Sequence, residues 1–134
     1  MERCCMRKLE NFCRALKNLQ EIRNYREPYD TVTLTGMVAL YQICFEQAWK
    51  AAKEALEASG YGEGKTGSPK QILKTAYGAG MIQEEEIWLS ALAARNNAAN
   101  TYNEAIALEL VRDTKERYLP MFERLREVLL REWV

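Results

Sequence analysis

The chain has 134 residues, of which 48% are apolar and 28% are charged. A chain of this length fits one domain, which buries roughly two-thirds of the surface of its unfolded chain. The 19 basic and 19 acidic residues give a net charge of zero. No global field therefore draws the chain to DNA or to an anionic membrane, and a nucleotide or RNA would have to bind through a local patch. We expect a single domain over residues 1–134.

The chain contains no histidine and four cysteines, none of them in a Cys-x-x-Cys pair. The four are Cys4, Cys5, Cys13 and Cys44. We expect free thiols in a reducing cytoplasm rather than a zinc site, and neither a metal nor a cofactor. The N-terminus lacks the apolar segment of a signal peptide. Because histidine is the commonest general acid or base near neutral pH, any chemistry of this chain proceeds without one.

Apolar residues recur every three or four positions, which predicts about five helices in an antiparallel up-and-down bundle and no strand. The first helix is predicted over residues 3–25, because the residue before Pro28 avoids the helical region. The second is predicted over residues 34–59 and ends at Gly60. Its apolar residues wrap more than one face, which favours a central position in the bundle or contact with a second subunit.

A short third helix is predicted to begin after Ser68. Ser68 has the spacing of a capping box with Gln71, and Pro69 suits the first helical position. Gly78 and Gly80 are expected to close this helix.

Two more helices are predicted toward the C-terminus. The glutamates at positions 84–86 favour the start of the fourth helix, since acidic side chains stabilise the positive end of the helix dipole. Thr101 and Glu104 have the spacing of a second capping box, which predicts the start of a long last helix. Pro120 is expected to kink or restart that helix near Tyr118.

The loop over residues 60–67 contains glycines followed by Lys65 and Thr66, as a phosphate-binding loop does. Its spacing is one residue short of that motif, and it follows a helix where the motif requires a strand. We therefore interpret this loop as a flexible connector.

One polar run lies within the second helix and contains Phe45, Glu46, Trp49, Lys50 and Lys53. Glu46 and Lys50 are four residues apart and can pair on the helix surface, and Lys53 lies one turn further on. From spacing alone, an exposed ion pair beside buried aromatic rings is the favoured interpretation.

The most polar run joins the last two helices and contains Arg95, Asn96, Asn100 and Tyr102. Arginine binds phosphate in a bidentate fork, asparagine amides can bind a base edge or a ribose, and tyrosine can stack or act as a nucleophile. Arg95 and Tyr102 are seven residues apart, so a continuous helix would present both on one face. The residues alone leave two interpretations open: a nucleotide or anion site, and a capped polar junction in which Arg95 pairs with a glutamate.

The chain resembles the HEPN superfamily, and within it the nucleotidyltransferase substrate-binding proteins, the helical partners of minimal nucleotidyltransferases. The resemblance covers nearly the whole chain. It rests on Phe45, Glu46, Trp49, Lys50, Lys53, Gly60, Ser68, Pro69, Lys70, Ala76, Gly80, Trp88, Leu89, Arg95, Asn96 and Tyr102. It implies a bundle of four to five helices that forms a homodimer, a small nucleotidyltransferase encoded nearby as the partner, and a toxin–antitoxin pair.

In active members of the superfamily, an arginine and a histidine separated by four to six residues meet at the dimer interface and cleave RNA without a metal. Arg95, Asn96 and Tyr102 match this motif, whereas Asn100 stands where the histidine belongs. A carboxamide cannot exchange a proton near neutral pH, and losing such a group lowers a rate by roughly a hundred- to ten-thousand-fold. In related toxins the partner nucleotidylates the motif tyrosine, which here implies Tyr102 as an acceptor.

These residues support three hypotheses. The favoured one is a non-catalytic subunit that binds a nucleotide or substrate, dimerises and pairs with the nucleotidyltransferase, which carries the transferase activity. Its binding residues would be Arg95, Asn96, Asn100, Tyr102, Trp49 and Lys53. The alternative is a metal-independent RNase toxin in which Arg95 is catalytic and Asn100 weakens the activity. The third is a structural dimer without a ligand, in which Arg95 pairs with a glutamate.

Overall fold

The computed structural model describes residues 7–61, 67–100 and 102–133, which form six α-helices and no strand. The helices are α1 (Arg7–Gln20), α2 (Thr31–Ala58), α3 (Pro69–Gly78), α4 (Glu85–Asn96), α5 (Glu104–Asp113) and α6 (Leu119–Val128). A π-helical turn, Thr114–Tyr118, joins α5 to α6. Since this turn makes α5 and α6 one continuous helical segment, the described residues form five helical segments. The all-α bundle predicted from the sequence is confirmed. Within the same ranges, no helix is long and apolar enough to cross a membrane.

The first two helices pack against each other in antiparallel orientation. The buried residues of α1 follow a single stripe from Leu9 to Leu19, and this stripe lies along α2. The backbone N–H of Lys8 donates to Glu54 Oε1 at 3.0 Å, which joins the start of α1 to the end of α2.

α2 begins at Thr31 rather than at the predicted residue 34. The side chain of Asp30 accepts a hydrogen bond from the backbone N–H of Thr33 at 2.7 Å, so it caps the first turn and explains the earlier start. Beyond this cap, α2 contacts α1, α3, α4 and α5. The predicted central position of the second helix is therefore confirmed.

Aromatic rings fill the centre of the bundle. Tyr41 and Phe45 of α2 lie near Trp88 of α4 and Phe122 of α6, with ring centroids 5.6 to 6.3 Å apart. The Tyr41 hydroxyl donates to the backbone carbonyl of Ala91 at 2.6 Å, which pairs a buried polar group and sets the position of α4 on α2. Burial raises the pKa of Tyr41 far above its ordinary value, so this phenol stays protonated and works as a structural donor.

The capping box at the start of α3 is confirmed. The Ser68 hydroxyl accepts from the backbone N–H of Gln71 at 3.3 Å, and Gln71 Oε1 accepts from the backbone N–H of Ser68 at 3.1 Å. α3 ends at Gly78, and Gly80 has a φ of 81°, in the left-handed region that glycine adopts without steric strain. α4 begins at Glu85, within the predicted acidic run.

The last long helix begins at Glu104, and its N-cap is Asn103 rather than Thr101. Asn103 Oδ1 accepts from the backbone N–H groups of Ala105 and Ile106 at 2.9 and 3.3 Å. Asparagine caps helices at least as well as threonine, and it stands directly before the first helical residue. The last helix therefore begins after Asn103 rather than after Thr101, and the predicted capping box at Thr101 lies outside the described residues.

Pro120 does not end the helix in which it lies. It occupies the second position of α6, directly after the π-helical turn Thr114–Tyr118. Proline has no N–H to donate, and its ring crowds the carbonyl four residues earlier. A wider turn relieves that crowding. The sequence predicted a kink or a restart of the helix near Tyr118. The structure instead has a continuous helix that widens locally into a π-helical turn.

The described cysteines are free thiols. Cys13 is half-buried and Cys44 is buried. Burial raises the pKa of both thiols, which disfavours the reactive thiolate. Cys4, Cys5 and the loop residues 62–66 lie outside the described residues.

Candidate functional site

Arg95 lies in the last turn of α4, on the face that this helix buries. It follows Trp88 by seven residues and Leu92 by three, and both of those side chains are buried. The guanidinium carbon lies 5.9 Å from the centre of the Phe45 ring. Because 28% of the Arg95 side chain is exposed, this residue sits at the boundary between the aromatic core and solvent.

Glu46 of α2 binds both Arg95 and Trp49. Arg95 Nη2 donates to Glu46 Oε1 at 2.9 Å, and the indole Nε1 of Trp49 donates to Glu46 Oε2 at 3.1 Å. Asn96 Oδ1 accepts from Arg95 Nη1 at 2.9 Å. The fold thus brings two polar runs of the sequence together. We call Arg95, Glu46, Trp49 and Asn96 the arginine site.

Among the described residues, the expected pair between Glu46 and Lys50 is not formed. Both carboxylate oxygens of Glu46 instead accept from Arg95 and Trp49. Arg95 is already ordered by its packing on the core, so pairing it loses less side-chain entropy than ordering the long, flexible side chain of Lys50. The ammonium of Lys53 lies 3.8 Å from a carboxylate oxygen of Glu57.

The importance of Glu46 for Arg95 was not recognised from the sequence. The sequence did suggest that Arg95 pairs with a glutamate, but 19 acidic residues left the partner open. Only the packing of α4 on α2 determines that Glu46 is the glutamate that pairs with Arg95. The bond from Tyr41 to Ala91 sets this packing and brings the next turn of α2 to the end of α4.

The chain turns sharply between α4 and α5. α4 ends at Asn96, and residues Ala98–Asn100 form a 3-10 turn. The Asn100 amide donates to Asn97 Oδ1 at 2.6 Å, which ties this exposed carboxamide to the turn. Because the helix ends, Arg95 and Tyr102 do not lie on one face of a continuous helix.

Tyr102 stands at the outer edge of this turn, directly before the N-cap Asn103. It is 85% exposed, so its hydroxyl is open to a partner protein. Between Tyr102 and Arg95, both within the described residues, the structure has no hydrogen bond or ring-cation contact. Tyr102 is thus separate from the arginine site and lies beside the positive end of the α5 dipole.

A small cavity of about 100 Å³ lies between the end of α4 and α5. Its lining includes the carboxylates of Glu109 and Asp113, which repel an anion. Within the described ranges, no group of three or more histidine, cysteine, aspartate or glutamate side chains is placed to hold a metal. Arg95 is therefore the side chain at this junction whose charge suits a phosphate.

The chemistry available at the arginine site is that of binding. A guanidinium has five N–H donors, and Glu46 and Asn96 use two of them. The remaining donors suit the oxygens of a phosphate or carboxylate. The chain offers no histidine as a general acid or base.

The fold and the site define a small all-α protein with an arginine–glutamate pair where its core meets solvent. A family model described as "nucleotidyltransferase substrate binding protein like" matches residues 7–131. The chain belongs to this family, and the resemblance noted from its sequence is confirmed. A search of the curated proteins finds no match.

Three solved structures are similar to this chain. A protein of Thermus thermophilus is 29% identical, and the match covers 89% of this chain and 95% of that one, with a TM-score of 0.70. HI0074 of Haemophilus influenzae, described as revealing the fold of a substrate binding domain of a nucleotidyltransferase, is 21% identical over 92% and 99% of the chains, with a TM-score of 0.77. A chain from a toxin–antitoxin structure with AMP-PNP is 14% identical over 96% and 99%, with a TM-score of 0.67. The last two show the shared fold alone.

Proposed function

We propose that this chain is a non-catalytic subunit that binds a nucleotide or a nucleotide-like substrate for a nucleotidyltransferase. The observation that carries the proposal is the position of Arg95, whose partly exposed guanidinium is held by Glu46, Asn96 and the Phe45 ring. An arginine fork matches the oxygens of a phosphate. A side chain that is already ordered loses less entropy when a ligand binds.

The other proposed binding residues come from α2, from the end of α4 and from the turn that follows it. Trp49 offers an indole on which a base can stack, and Lys53 supplies a second positive charge one turn further along α2. Asn96 and Asn100 offer carboxamides that can bind a ribose or a base edge. These residues would extend the contact from the phosphates to the nucleoside.

Calorimetric titration with ATP tests this proposal. We expect the wild-type chain to bind ATP and the Arg95→Gln variant to bind it at least about tenfold more weakly, because a hydrogen bond to a charged group contributes on the order of 1.5–3 kcal/mol. Arg23→Gln is the matched control, since it breaks the Arg23–Glu123 pair elsewhere on the surface. Equal affinities of the wild type and Arg95→Gln would contradict the proposal.

The proposed partner is a minimal nucleotidyltransferase encoded nearby. Membership of the nucleotidyltransferase substrate-binding family supports this pairing. The description of HI0074 as a substrate-binding domain of a nucleotidyltransferase supports the same pairing. The similarity to a chain from a toxin–antitoxin structure supports a pair of that type. On this proposal the transferase chemistry belongs to the partner.

We further propose a homodimer formed through the outward face of α2. Val32 is 82% exposed and Ile43 is 53% exposed, and the small residues Gly36 and Ala39 lie between them on the same side of the helix. Exposed apolar side chains on one helix face favour association, and small residues allow a close approach. Glu46 lies one turn beyond Ile43, so a second copy docked here would border the arginine site.

Tyr102 is the proposed acceptor of a nucleotide from the partner. Its hydroxyl oxygen would attack the α-phosphorus of a nucleoside triphosphate. A tyrosine O–P bond forms, the bond to the β-phosphate oxygen breaks, and pyrophosphate leaves, while the phenolic proton passes to a base or to water. The high exposure of Tyr102 and its place at the start of α5 support this role.

A further inference from the structure

The cation that would bind a phosphate is already paired with an anion of the same chain. Arg95 Nη2 donates to Glu46 Oε1 at 2.9 Å, and the two side chains are 28% and 31% exposed. A phosphate that binds the same guanidinium lies within a few ångströms of the Glu46 carboxylate, and the two like charges repel each other. An anionic ligand therefore has to displace Glu46 or bind against this repulsion.

The second oxygen of Glu46 couples this competition to Trp49. Glu46 Oε2 accepts from the indole N–H of Trp49 at 3.1 Å. The Glu46 carboxylate thus accepts from both Arg95 and Trp49. A movement of Glu46 away from Arg95 therefore alters the hydrogen bond of the Trp49 indole. Trp88 is 1% exposed in the core, and Trp133 lies in the last turn of the described chain beside Tyr61; in the ranges that the structure describes, neither indole donates to Glu46.

We propose that Glu46 is an internal competitor that controls the access of phosphate-bearing ligands to Arg95. The inference rests on the proposed function, and it adds a residue that lowers ligand affinity. In the unliganded chain, Glu46 neutralises and orders the guanidinium. A ligand then binds only when its own contacts with Arg95 exceed those of Glu46. Weak anions are excluded by this competition.

The isosteric variant Glu46→Gln removes the charge and keeps the volume of the side chain. Its amide oxygen can still accept from Trp49. We expect this variant to bind ATP about fivefold more tightly than the wild type, which corresponds to the contribution of a partly exposed ion pair.

Glu123→Gln is the matched control for this variant. Glu123 has a similar exposed fraction, 27%, and its carboxylate accepts from Arg23 at 2.6 Å on a surface formed by α6 and the 3-10 turn Glu21–Asn24 that follows α1. Both substitutions therefore neutralise a glutamate in a partly exposed arginine pair. We expect Glu123→Gln to leave the affinity for ATP unchanged.

Calorimetric titration of ATP into the wild type and the two variants separates the outcomes. Tighter binding by Glu46→Gln alone supports the inference. Equal or weaker binding by Glu46→Gln, with ATP still bound by the wild type, overturns the inference and leaves the proposed function standing. ATP binding by neither the wild type nor Glu46→Gln overturns the proposed function itself.

Nuclear magnetic resonance of the wild-type chain provides a second test. It does not depend on whether Glu46→Gln folds. In a nitrogen–proton correlation spectrum, each tryptophan indole N–H gives one signal, and Trp49→Phe identifies that of Trp49. We expect saturation with ATP to shift the Trp49 signal more than those of Trp88 and Trp133. Calorimetric binding of ATP with an unmoved Trp49 signal would overturn the inference.

Discussion

Arg95 both packs on the core and presents a charge to solvent. Its guanidinium covers the Phe45 ring, and its ion pair with Glu46 joins α4 to α2. An exposed cation–π contact contributes about 0.5–1 kcal/mol and a partly exposed ion pair contributes up to about 1 kcal/mol. Arg95 therefore has two roles. It pairs with a glutamate, as the sequence suggested, and we propose that it binds a ligand. The two roles exclude each other only while a ligand is bound.

Tyr102 can be tested as an acceptor at the level of the single residue. Coexpression with the neighbouring nucleotidyltransferase should add one nucleoside monophosphate to the chain, and mass spectrometry of peptides should locate it on Tyr102. Tyr102→Phe should lose the adduct because the attacking oxygen is gone. The control Tyr77→Phe removes another exposed phenol, 48% exposed on α3, and should keep it. An adduct that persists in Tyr102→Phe would refute this assignment.

Asn100 decides between binding and RNA cleavage. Its carboxamide donates to Asn97 and neither gains nor loses a proton near neutral pH, so it cannot act as a general acid or base. Purified wild-type chain should cleave single-stranded RNA no faster than Arg95→Ala. Asn100→His should cleave about a hundredfold faster, the lower end of what a placed general acid or base contributes. Wild-type cleavage that disappears in Arg95→Ala would instead favour the RNase toxin.

At the scale of a helix, the cap of α5 determines where the polar turn ends. Asn103 accepts two backbone N–H bonds at the start of α5. Asn103→Ala should lower the free energy of unfolding by about 1 kcal/mol, and Asn103→Asp should retain it because aspartate caps equally well. Urea unfolding followed by circular dichroism measures both variants. An unchanged stability of Asn103→Ala would show that this cap contributes little.

Helix ends were predictable where several local signals agreed. Ser68 and Gln71 form the predicted capping box, and Pro69 directly after Ser68 marks the first helical position. Before the last helix, Thr101 and Asn103 both have side chains that can cap a helix, and spacing alone favoured Thr101, whereas Asn103 caps α5. The sequence showed that Pro120 would disturb the geometry of the last helix. It did not show whether the helix would accommodate the proline by a kink or by a π-helical turn.

For the whole molecule, the fold was more predictable than the site. Apolar residues on most sides of α2 predicted its central position, because burial depends on the pattern of a single helix. The contact of Arg95 with Glu46 depends instead on the register between α2 and α4, which no spacing within either helix encodes. The polar turn was recognised as a candidate site, but its anionic partner became visible only in the packed structure.

The outward face of α2 makes a prediction about assembly. The wild-type chain should elute as a dimer in size-exclusion chromatography with light scattering. The double variant Val32→Asp, Ile43→Asp should elute as a monomer, because it buries two charges in the proposed interface. Leu130→Asp places the same charge on a residue that is 55% exposed at the other end of the chain, and it should remain dimeric. A monomeric wild type, or a dimeric double variant, would contradict this interface.

The central claim is that this chain serves a nucleotidyltransferase as its substrate-binding subunit. Its most direct test is size-exclusion chromatography of the chain coexpressed with the neighbouring nucleotidyltransferase, with the mass of the complex read by light scattering. We expect one peak in which both proteins occur in a fixed stoichiometric ratio. Separate elution of the two proteins, each folded and at micromolar concentration, would contradict it.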